Sequence, residues 1–250
     1  MQKAIGWLLT PLHLASFIAV LLIFHVAQVL AFQFGYAAHK RVVDYLNFCV
    51  LATLKIMGTR IEVICEHELP VDSPLIVVSN HQSMYDIPML GWIFRKHHPK
   101  FVAKIELTRG LPSISYNLRH GGSVLIDRSD PRSSMRAIRK FGQAVEEHRY
   151  AACIFPEGTR ARDGKIKEFN AAGLLALMRA TPSATIVPVA IDGSWELMRY
   201  SMRPIPFGVR VRCTVLAPIN QNEHSARSIT LVIEDRIREA VTEGRRSAVT

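Results

Sequence analysis

The sequence contains three histidines that are each followed, five residues later, by an aspartate. The pairs are His39–Asp44, His67–Asp72 and His81–Asp86. A carboxylate that holds one imidazole nitrogen fixes the tautomer of the ring and stabilises the imidazolium, so such a pair can act as a general base. Because the spacing occurs three times, it does not by itself identify a catalytic pair.

The context of each pair distinguishes them. His81 lies in NHQSMYD, directly after the apolar run LIVVS (75–79), which predicts a buried strand. Functional residues of α/β proteins gather where strands end. The His67 pair lies in a proline-containing turn, which is typical of solvated polar residues, and the His39 pair lies in a helix predicted beside a membrane. We therefore expect chemistry only at His81, with Asp86 orienting its ring.

FPEGTR (155–160) is a second polar segment at the end of a predicted strand. Glu157 can accept hydrogen bonds from hydroxyl groups, and Gly158 permits a close backbone approach or a positive φ. Arg160 presents a guanidinium fork that suits phosphate. A basic surface turn is the alternative, because three more cations follow between residues 162 and 167.

Two further cations follow short strand-like runs. Arg128 ends GGSVLIDR (121–128), and Lys104 ends FVAK (101–104). If these strands are parallel neighbours, their carboxyl ends meet at one edge of the sheet, and both cations lie near His81. An Asp–Arg surface ion pair and a solvated lysine are the alternatives.

Strand-like and helix-like segments alternate from residue 61 onward. The strand-like segments are residues 61–65, 75–79, 100–103, 123–126, 151–155, 185–191 and 209–216. Asp130 followed by Pro131 predicts the start of a helix. This alternation predicts an α/β fold: a three-layer αβα domain over residues 59–250, with a central mixed, largely parallel sheet.

Residues 1–58 predict a membrane-associated segment of two helices. From Ala4 to His39 there is no Asp, Glu, Lys or Arg, and about 20 apolar residues suffice to cross a bilayer. A second helix is predicted at residues 40–57, ending at Gly58. Either the two helices form a hairpin in one leaflet, or the first spans the membrane and the second lies on its surface.

The formal net charge is +10, which favours an anionic partner. Anionic lipid is a better candidate than nucleic acid, because the N-terminus is apolar and no zinc-finger spacing or RNA-binding aromatic motif is present. The four cysteines form no C-x-x-C pair, so we expect no metal site. Cys65, Cys153 and Cys213 lie in strand-like runs and are expected to be buried thiols, which fits a reducing compartment.

Together these segments resemble the glycerolipid acyltransferase family, the 1-acylglycerol-3-phosphate acyltransferases. NHQSMYD is similar to the family's first block, a His and an Asp separated by four residues. GGSVLIDR, FPEGTR and IVPVAI (186–191) are similar to the second, third and fourth blocks, in the family's order. The resemblance covers about residues 60–218.

This resemblance implies an enzyme that moves a fatty acyl group from an acyl thioester to the sn-2 hydroxyl of lysophosphatidic acid, giving phosphatidic acid. His81 would be the general base, and Asp86 would orient it. The residues implied in substrate binding are Lys104, Arg128, Glu157, Gly158, Thr159 and Arg160. No metal is implied, and no cofactor beyond the co-substrate, which is acyl-CoA or acyl-carrier protein.

The resemblance also places the protein at a membrane, with its active site on the cytoplasmic face, as at a bacterial inner membrane. The expected partners are a lysophospholipid acceptor, an acyl thioester donor and the membrane, but no nucleic acid. Three alternatives stay open: another acceptor such as a lyso-ornithine lipid, a non-enzymatic lipid-binding membrane protein, and a basic nucleic-acid-binding protein. His81, Asp86, Glu157 and Arg160 argue against the non-enzymatic alternative.

Overall fold

The computed structural model describes residues 2–70, 72–223 and 225–247. Its α-helices are α1 (Gln2–Phe32), α2 (Tyr36–Thr53), α3 (Asp86–Ile93), α4 (Ile114–His120), α5 (Pro131–His148), α6 (Ala171–Ala180) and α7 (Ala226–Ser247). Its strands are β1 (Arg60–Cys65), β2 (Leu75–Ser79), β3 (Lys100–Lys104), β4 (Val124–Ile126), β5 (Ala151–Ile154), β6 (Thr185–Asp192), β7 (Arg210–Val215) and β8 (Ile219–Asn220). Each of the seven strands predicted from the sequence is present.

The strands form one mixed, largely parallel sheet, which confirms the prediction. Its order is β1-β7-β6-β2-β5-β3-β4, with β8 beside β6. β6 pairs antiparallel with β7 and β8, whereas the remaining described pairs are parallel. The strands from β2 to β6 therefore all end at the same edge of the sheet, which we call the carboxyl edge.

Helices cover both faces of the sheet, which gives the predicted three layers. Leu75 and Val77 of β2 belong to one apolar core, on the side of α1 to α4. Ile76 and Val78 belong to a second core, with α5, α6 and α7. The apolar run LIVVS is therefore buried on both faces, as is usual for a central parallel strand. We call the two helical layers the α1 layer and the α5 layer.

α1 contacts the α/β domain near both of its ends. The Thr10 hydroxyl accepts a hydrogen bond from the backbone N–H of Ile205, at 3.0 Å. Near the other end, Nδ1 of His25 accepts one from the backbone N–H of Ser113, at 3.1 Å. α1 therefore lies along the domain and is held to it by hydrogen bonds at two points.

The outer face of α1 is apolar and exposed. Leu8 is 78% exposed and Ile23 is 65% exposed, and Trp7, Ile18, Val26 and Leu30 are exposed as well. By length and composition α1 is apolar enough to cross a membrane. A continuous exposed apolar surface of this kind usually marks a membrane or protein interaction site, so the α1 layer indicates membrane association.

The prediction that Cys65 is a buried thiol is wrong. Cys65 is exposed, whereas Cys153 and Cys213 are fully buried. β1 lies at the edge of the sheet, and five of its six residues are exposed. Its apolar composition therefore does not reflect burial on both faces.

Other differences concern elements with weak sequence signals. α4 and β8 are short and were not predicted. α2 begins at Tyr36 rather than at residue 40, because its first turn carries no charge and resembles the preceding apolar helix. Gly35, at φ 90°, separates the two helices. The α-helix ends at Thr53, earlier than predicted, and a 3₁₀ turn over Leu54–Met57 continues to Gly58, which adopts a left-handed conformation at φ 61°.

Gly142 in α5 and Gly173 in α6 offer a matched test of how the α5 layer packs. A Cβ at Gly142 would lie 2.5 Å from the Cβ of Ala180, so Gly142→Ala should lower the free energy of unfolding by about 1–3 kcal/mol. A Cβ at Gly173 would meet its nearest atoms at 3.6 Å, so Gly173→Ala should raise stability by about 0.5–1 kcal/mol through helix propensity. Thermal unfolding in detergent measures both shifts, and shifts of the same sign would contradict this packing.

Candidate active site

Asn80 fixes the chain at the point where β2 ends. Its side-chain Nδ2 donates to the carbonyl of Ile191 at 2.7 Å, and its Oδ1 accepts from the N–H of Ile191 at 2.8 Å. The buried amide thus joins the end of β2 to the neighbouring strand β6. His81 follows directly, so its backbone position at the carboxyl edge is set by this pair of bonds.

The predicted His81–Asp86 pair is formed. His81 Nδ1 lies 2.9 Å from Asp86 Oδ2, and Asp86 is completely buried as the first residue of α3. The same carboxylate accepts the N–H groups of Gln82 and Ser83, at 2.7 and 2.8 Å. It also accepts the hydroxyls of Ser83 and Ser194, at 3.1 and 2.6 Å. Five donors therefore hold one carboxylate.

These contacts assign the proton on the imidazole. An ionised carboxylate can only accept hydrogen bonds, so in neutral His81 the proton facing Asp86 is on Nδ1. Nε2 is then left with its lone pair, and no group in the described part of the chain hydrogen-bonds to it. The ring stacks on Phe155, with centroids 4.2 Å apart, and the side chain is 17% exposed. The arrangement supplies an oriented base with a free acceptor nitrogen.

Glu157 ties the FPEGTR loop to His81. Its Oε1 accepts the N–H of His81 at 2.7 Å, and its Oε2 accepts the N–H of Lys167 at 2.9 Å. A further bond runs from the N–H of Ala161 to the carbonyl of His81, at 2.7 Å. Burial raises the pKa of Glu157, although the two N–H donors oppose this effect. Both oxygens are engaged by backbone, and contact of Glu157 with substrate stays a prediction.

Arg128 lies against the turn at Gly158. Gly158 adopts φ 70°, and a Cβ there would stand 3.8 Å from Nη1 of Arg128. The glycine therefore provides both the left-handed turn and the open space beside the guanidinium. Asp127 and Arg128 do not form the surface ion pair considered as the alternative. Asp127 instead accepts the N–H and hydroxyl of Ser129.

The remaining predicted binding residues lie on the same edge with fewer contacts. Lys104 is exposed at the end of β3, where it pairs in register with Ile126 of β4. Thr159 is exposed, and its hydroxyl accepts from Nζ of Lys167 at 2.8 Å. Arg160 directs one guanidinium nitrogen at the sulfur of Met198, 3.3 Å away.

Three cations at this edge form no close ion pair, although Glu106 acts on the charge of Arg128 from a greater distance. Within the residues that the structure describes, none of Lys104, Arg128 and Arg160 lies within 4.0 Å of a carboxylate. Guanidinium and ammonium groups without a close carboxylate at a strand edge suit an anionic ligand. The same described ranges contain no group of three His, Cys, Asp or Glu side chains placed to hold a metal ion.

The other two His–Asp pairs do not form. Asp44 instead bonds to Lys40 at 2.6 Å, and His39 is buried at 2% exposure against the ring of Phe32. His39 is therefore a packed core residue rather than the interfacial residue that its neighbours suggested. His67 is exposed in the loop after β1, as expected for a solvated turn residue.

Ser194 and Lys167 are site residues that sequence reasoning missed. Ser194 follows β6 and donates to Asp86, while Lys167 donates to Thr159 and to the carbonyl of Arg160, at 2.8 and 3.0 Å. The available signal for Ser194 was its position directly after the fourth block, in IVPVAIDGS. Ser194 reaches Asp86 because β6 lies beside β2, and this adjacency follows from the order of the whole sheet.

Comparisons with known proteins agree with this geometry. The model of the Acyltransferase family matches residues 60–192. The 1-acyl-sn-glycerol-3-phosphate acyltransferase of Limnanthes douglasii is 29% identical over 158 residues, which cover 62% of this chain and 53% of that protein. The protein of the same name from Pseudomonas aeruginosa is 28% identical over 180 residues, covering 72% of this chain and 66% of that protein.

A solved structure has the same fold. The 1-acyl-sn-glycerophosphate (LPA) acyltransferase PlsC from Thermotoga maritima superimposes with a TM-score of 0.80 at 21% identity, over 98% of each chain. The chain spans about half the length of the first curated relatives that it matches. The family model covers more than half of this chain and includes the whole of His81–Asp86 and the FPEGTR loop. The chain therefore belongs to the Acyltransferase family.

Proposed function

We propose that this protein transfers a fatty acyl group from an acyl thioester to the sn-2 hydroxyl of lysophosphatidic acid, producing phosphatidic acid. The observation that carries the proposal is the oriented imidazole of His81, whose Nδ1 is held by the buried carboxylate of Asp86 at 2.9 Å. The names of the relatives from Limnanthes douglasii and Pseudomonas aeruginosa support the choice of acceptor.

In this mechanism His81 acts as a general base. Nε2 takes the proton of the acceptor hydroxyl while the hydroxyl oxygen attacks the thioester carbonyl carbon. The tetrahedral intermediate then collapses, the C–S bond breaks, and the leaving thiolate takes the proton back from the imidazolium. Asp86 stabilises the positive charge that His81 carries between these two proton transfers.

The environment of Ser83, the serine nearest to His81 in the sequence, supports direct transfer without an acyl-enzyme intermediate. Ser83 is completely buried, its hydroxyl donates to Asp86, and its oxygen accepts the N–H of Tyr85 at 3.1 Å. It is therefore a structural residue before α3 rather than a nucleophile. The acceptor hydroxyl is the group left for His81 to activate.

Lys104, Arg128 and Arg160 supply the positive charge for the acceptor phosphate. They lie on loops or strand ends at the carboxyl edge, and they lack carboxylate partners within the described part of the chain. Acyl-CoA and acyl-carrier protein both remain candidate donors. The apolar outer face of α1 would hold the enzyme at the membrane that contains the acceptor, and we propose the cytoplasmic face of a bacterial inner membrane as its location.

Replacing His81 tests the general base. His81→Ala should lower the rate of phosphatidic acid formation by about 10²–10⁴-fold, the usual contribution of such a base. His67→Ala is the matched control, because His67 is exposed and makes no bond to Asp72. Steady-state rates with lysophosphatidic acid and an acyl thioester measure both variants, and equal losses would exclude the assignment.

Replacing Arg160 tests the phosphate anchor. Arg160→Ala should raise the KM for lysophosphatidic acid by at least about tenfold, since a hydrogen bond to a charged group contributes roughly 1.5–3 kcal/mol. Arg179→Ala is the control, because Arg179 is an exposed cation at the end of α6 in the α5 layer. An unchanged KM in Arg160→Ala would assign the phosphate to Arg128 or Lys104 instead.

Replacing Ser194 tests whether the position of Asp86 matters for catalysis. Ser194→Ala removes one of the five donors to the carboxylate and should lower kcat by roughly tenfold with little change in KM. Ser194→Thr keeps the hydroxyl and should restore most of the rate. A wild-type kcat in Ser194→Ala, or equal losses in both variants, would show that this bond does not act through Asp86.

A further inference from the structure

A second group of basic and aromatic residues lies at the opposite edge of the sheet, where β3 and β5 begin. A cavity of about 280 Å³ opens there between the start of α2, the end of α4 and the last turns of α5. Lys100, His120, His148 and Tyr150 are among its lining residues. None of them belongs to the carboxyl edge, so the cavity is separate from the candidate active site.

Lys100 is the charged group of this cavity. It is only 5% exposed, and its Nζ lies 4.7 Å from the ring centroid of Tyr36 and 5.0 Å from that of Tyr150. Within the described ranges no oxygen accepts a hydrogen bond from Nζ, and no carboxylate lies within 4.0 Å of it. The two rings attract the ammonium through their faces but cannot satisfy its three N–H donors.

The charges around Lys100 leave it without a carboxylate of its own. Asp44 is the acidic residue that acts on it, and that carboxylate is already bonded to Lys40 at 2.6 Å. Burial and the charge of Lys40 lower the pKa of Lys100 to about 8, although Asp44 opposes this effect. An anion in the cavity would favour the charged ammonium and accept its hydrogen bonds.

The space over the ammonium is open because no side chain fills it. Gly122 adopts φ 83°, and a Cβ there would stand 3.8 Å from Nζ of Lys100. Two imidazoles, His120 and His148, line the same cavity and can donate further hydrogen bonds. Both lie in the last turn of a helix. A small tetrahedral anion matches this set of donors.

The position of the cavity indicates where the anion comes from. Tyr36, one of its walls, follows the turn between α1 and α2. Phe34 in that turn is 82% exposed, and like the exposed side chains of α1 it is apolar. A membrane that covers the exposed apolar side chains of α1 and of this turn therefore brings lipid headgroups next to the cavity. The apolar side chains of Phe141 and Val145 complete the wall of the cavity.

We infer that this cavity is a second anion site, which takes the phosphate of an anionic membrane phospholipid on Lys100 at the edge of the sheet opposite to His81. Such a site would hold the α1–α2 turn at the lipid headgroups and bind an anionic lipid without acylating it. It does not depend on the reaction proposed for the carboxyl edge.

The test is binding of dihexanoyl-phosphatidylglycerol to the full chain in neutral detergent, measured by isothermal titration calorimetry. Lys100→Met removes the charge, and Ala144→Leu fills the cavity from α5 without changing any charge. Each should weaken binding by about tenfold or more. Lys140→Met removes an exposed cation from α5, outside the cavity, and should leave binding unchanged. Thermal unfolding without ligand confirms that each variant is folded.

Three results would overturn the inference. Unchanged affinity in both Lys100→Met and Ala144→Leu would exclude the cavity as the site. Equal binding of dihexanoyl-phosphatidylcholine would exclude recognition of an anionic lipid, and equal binding of inorganic phosphate would exclude a lipid as its source. The titration contains no acyl donor and measures no turnover, so its result is separate from any failure to detect acyl transfer.

Discussion

The buried carboxylate of Asp86 is the interaction on which the site depends. An ionised group without solvent is costly unless its lone pairs are occupied, and here two backbone N–H groups, two hydroxyls and an imidazole occupy them. These donors come from the end of β2, the start of α3 and the segment after β6. The carboxylate therefore holds three parts of the chain together and at the same time fixes the ring that it orients.

The sheet order makes this arrangement possible. β2 lies between β5 and β6, all three are parallel, and their carboxyl ends supply His81, Glu157 and Ser194. Glu157, like Asp86, is a carboxylate whose oxygens are held by N–H donors. It accepts the backbone N–H of His81 and that of Lys167. His81 is thus fixed by its ring on one side and by its backbone on the other. Within the described residues, Lys104, Arg128 and Arg160 at the same edge have no carboxylate within 4.0 Å, which suits the phosphate ester proposed as the acceptor.

Much of this could be predicted from local sequence. Four of the five residues of LIVVS are apolar because β2 is buried on both faces. The start of α5 is encoded locally, because the side chain of Asp130 accepts the N–H of Ser133 and Pro131 occupies the first helical position. His81 could be separated from His39 and His67 because it alone follows a buried strand. The family resemblance then supplied roles that spacing could not.

The rest depends on contacts between distant parts of the chain. Ser194 meets Asp86 across 108 positions, which no local pattern encodes. Cys65 is exposed because β1 is an edge strand, and edge position follows from the order of the whole sheet. The burial of His39 depends on α1 folding back along the domain. Lys100 resembles any lysine at the start of a strand, because its enclosure by Tyr36 and Tyr150 depends on the tertiary fold.

The most direct measurement is product formation by the purified full chain with a panel of lysolipid acceptors, each assayed with acyl-CoA and with acyl-carrier protein. Mass spectrometry identifies the acylated lipid and the position of the new ester. The central claim predicts phosphatidic acid acylated at sn-2 from lysophosphatidic acid, at a higher rate than any product from a lysolipid without a phosphate monoester. Faster acylation of another lysolipid, or no acyl transfer from either thioester, would contradict it.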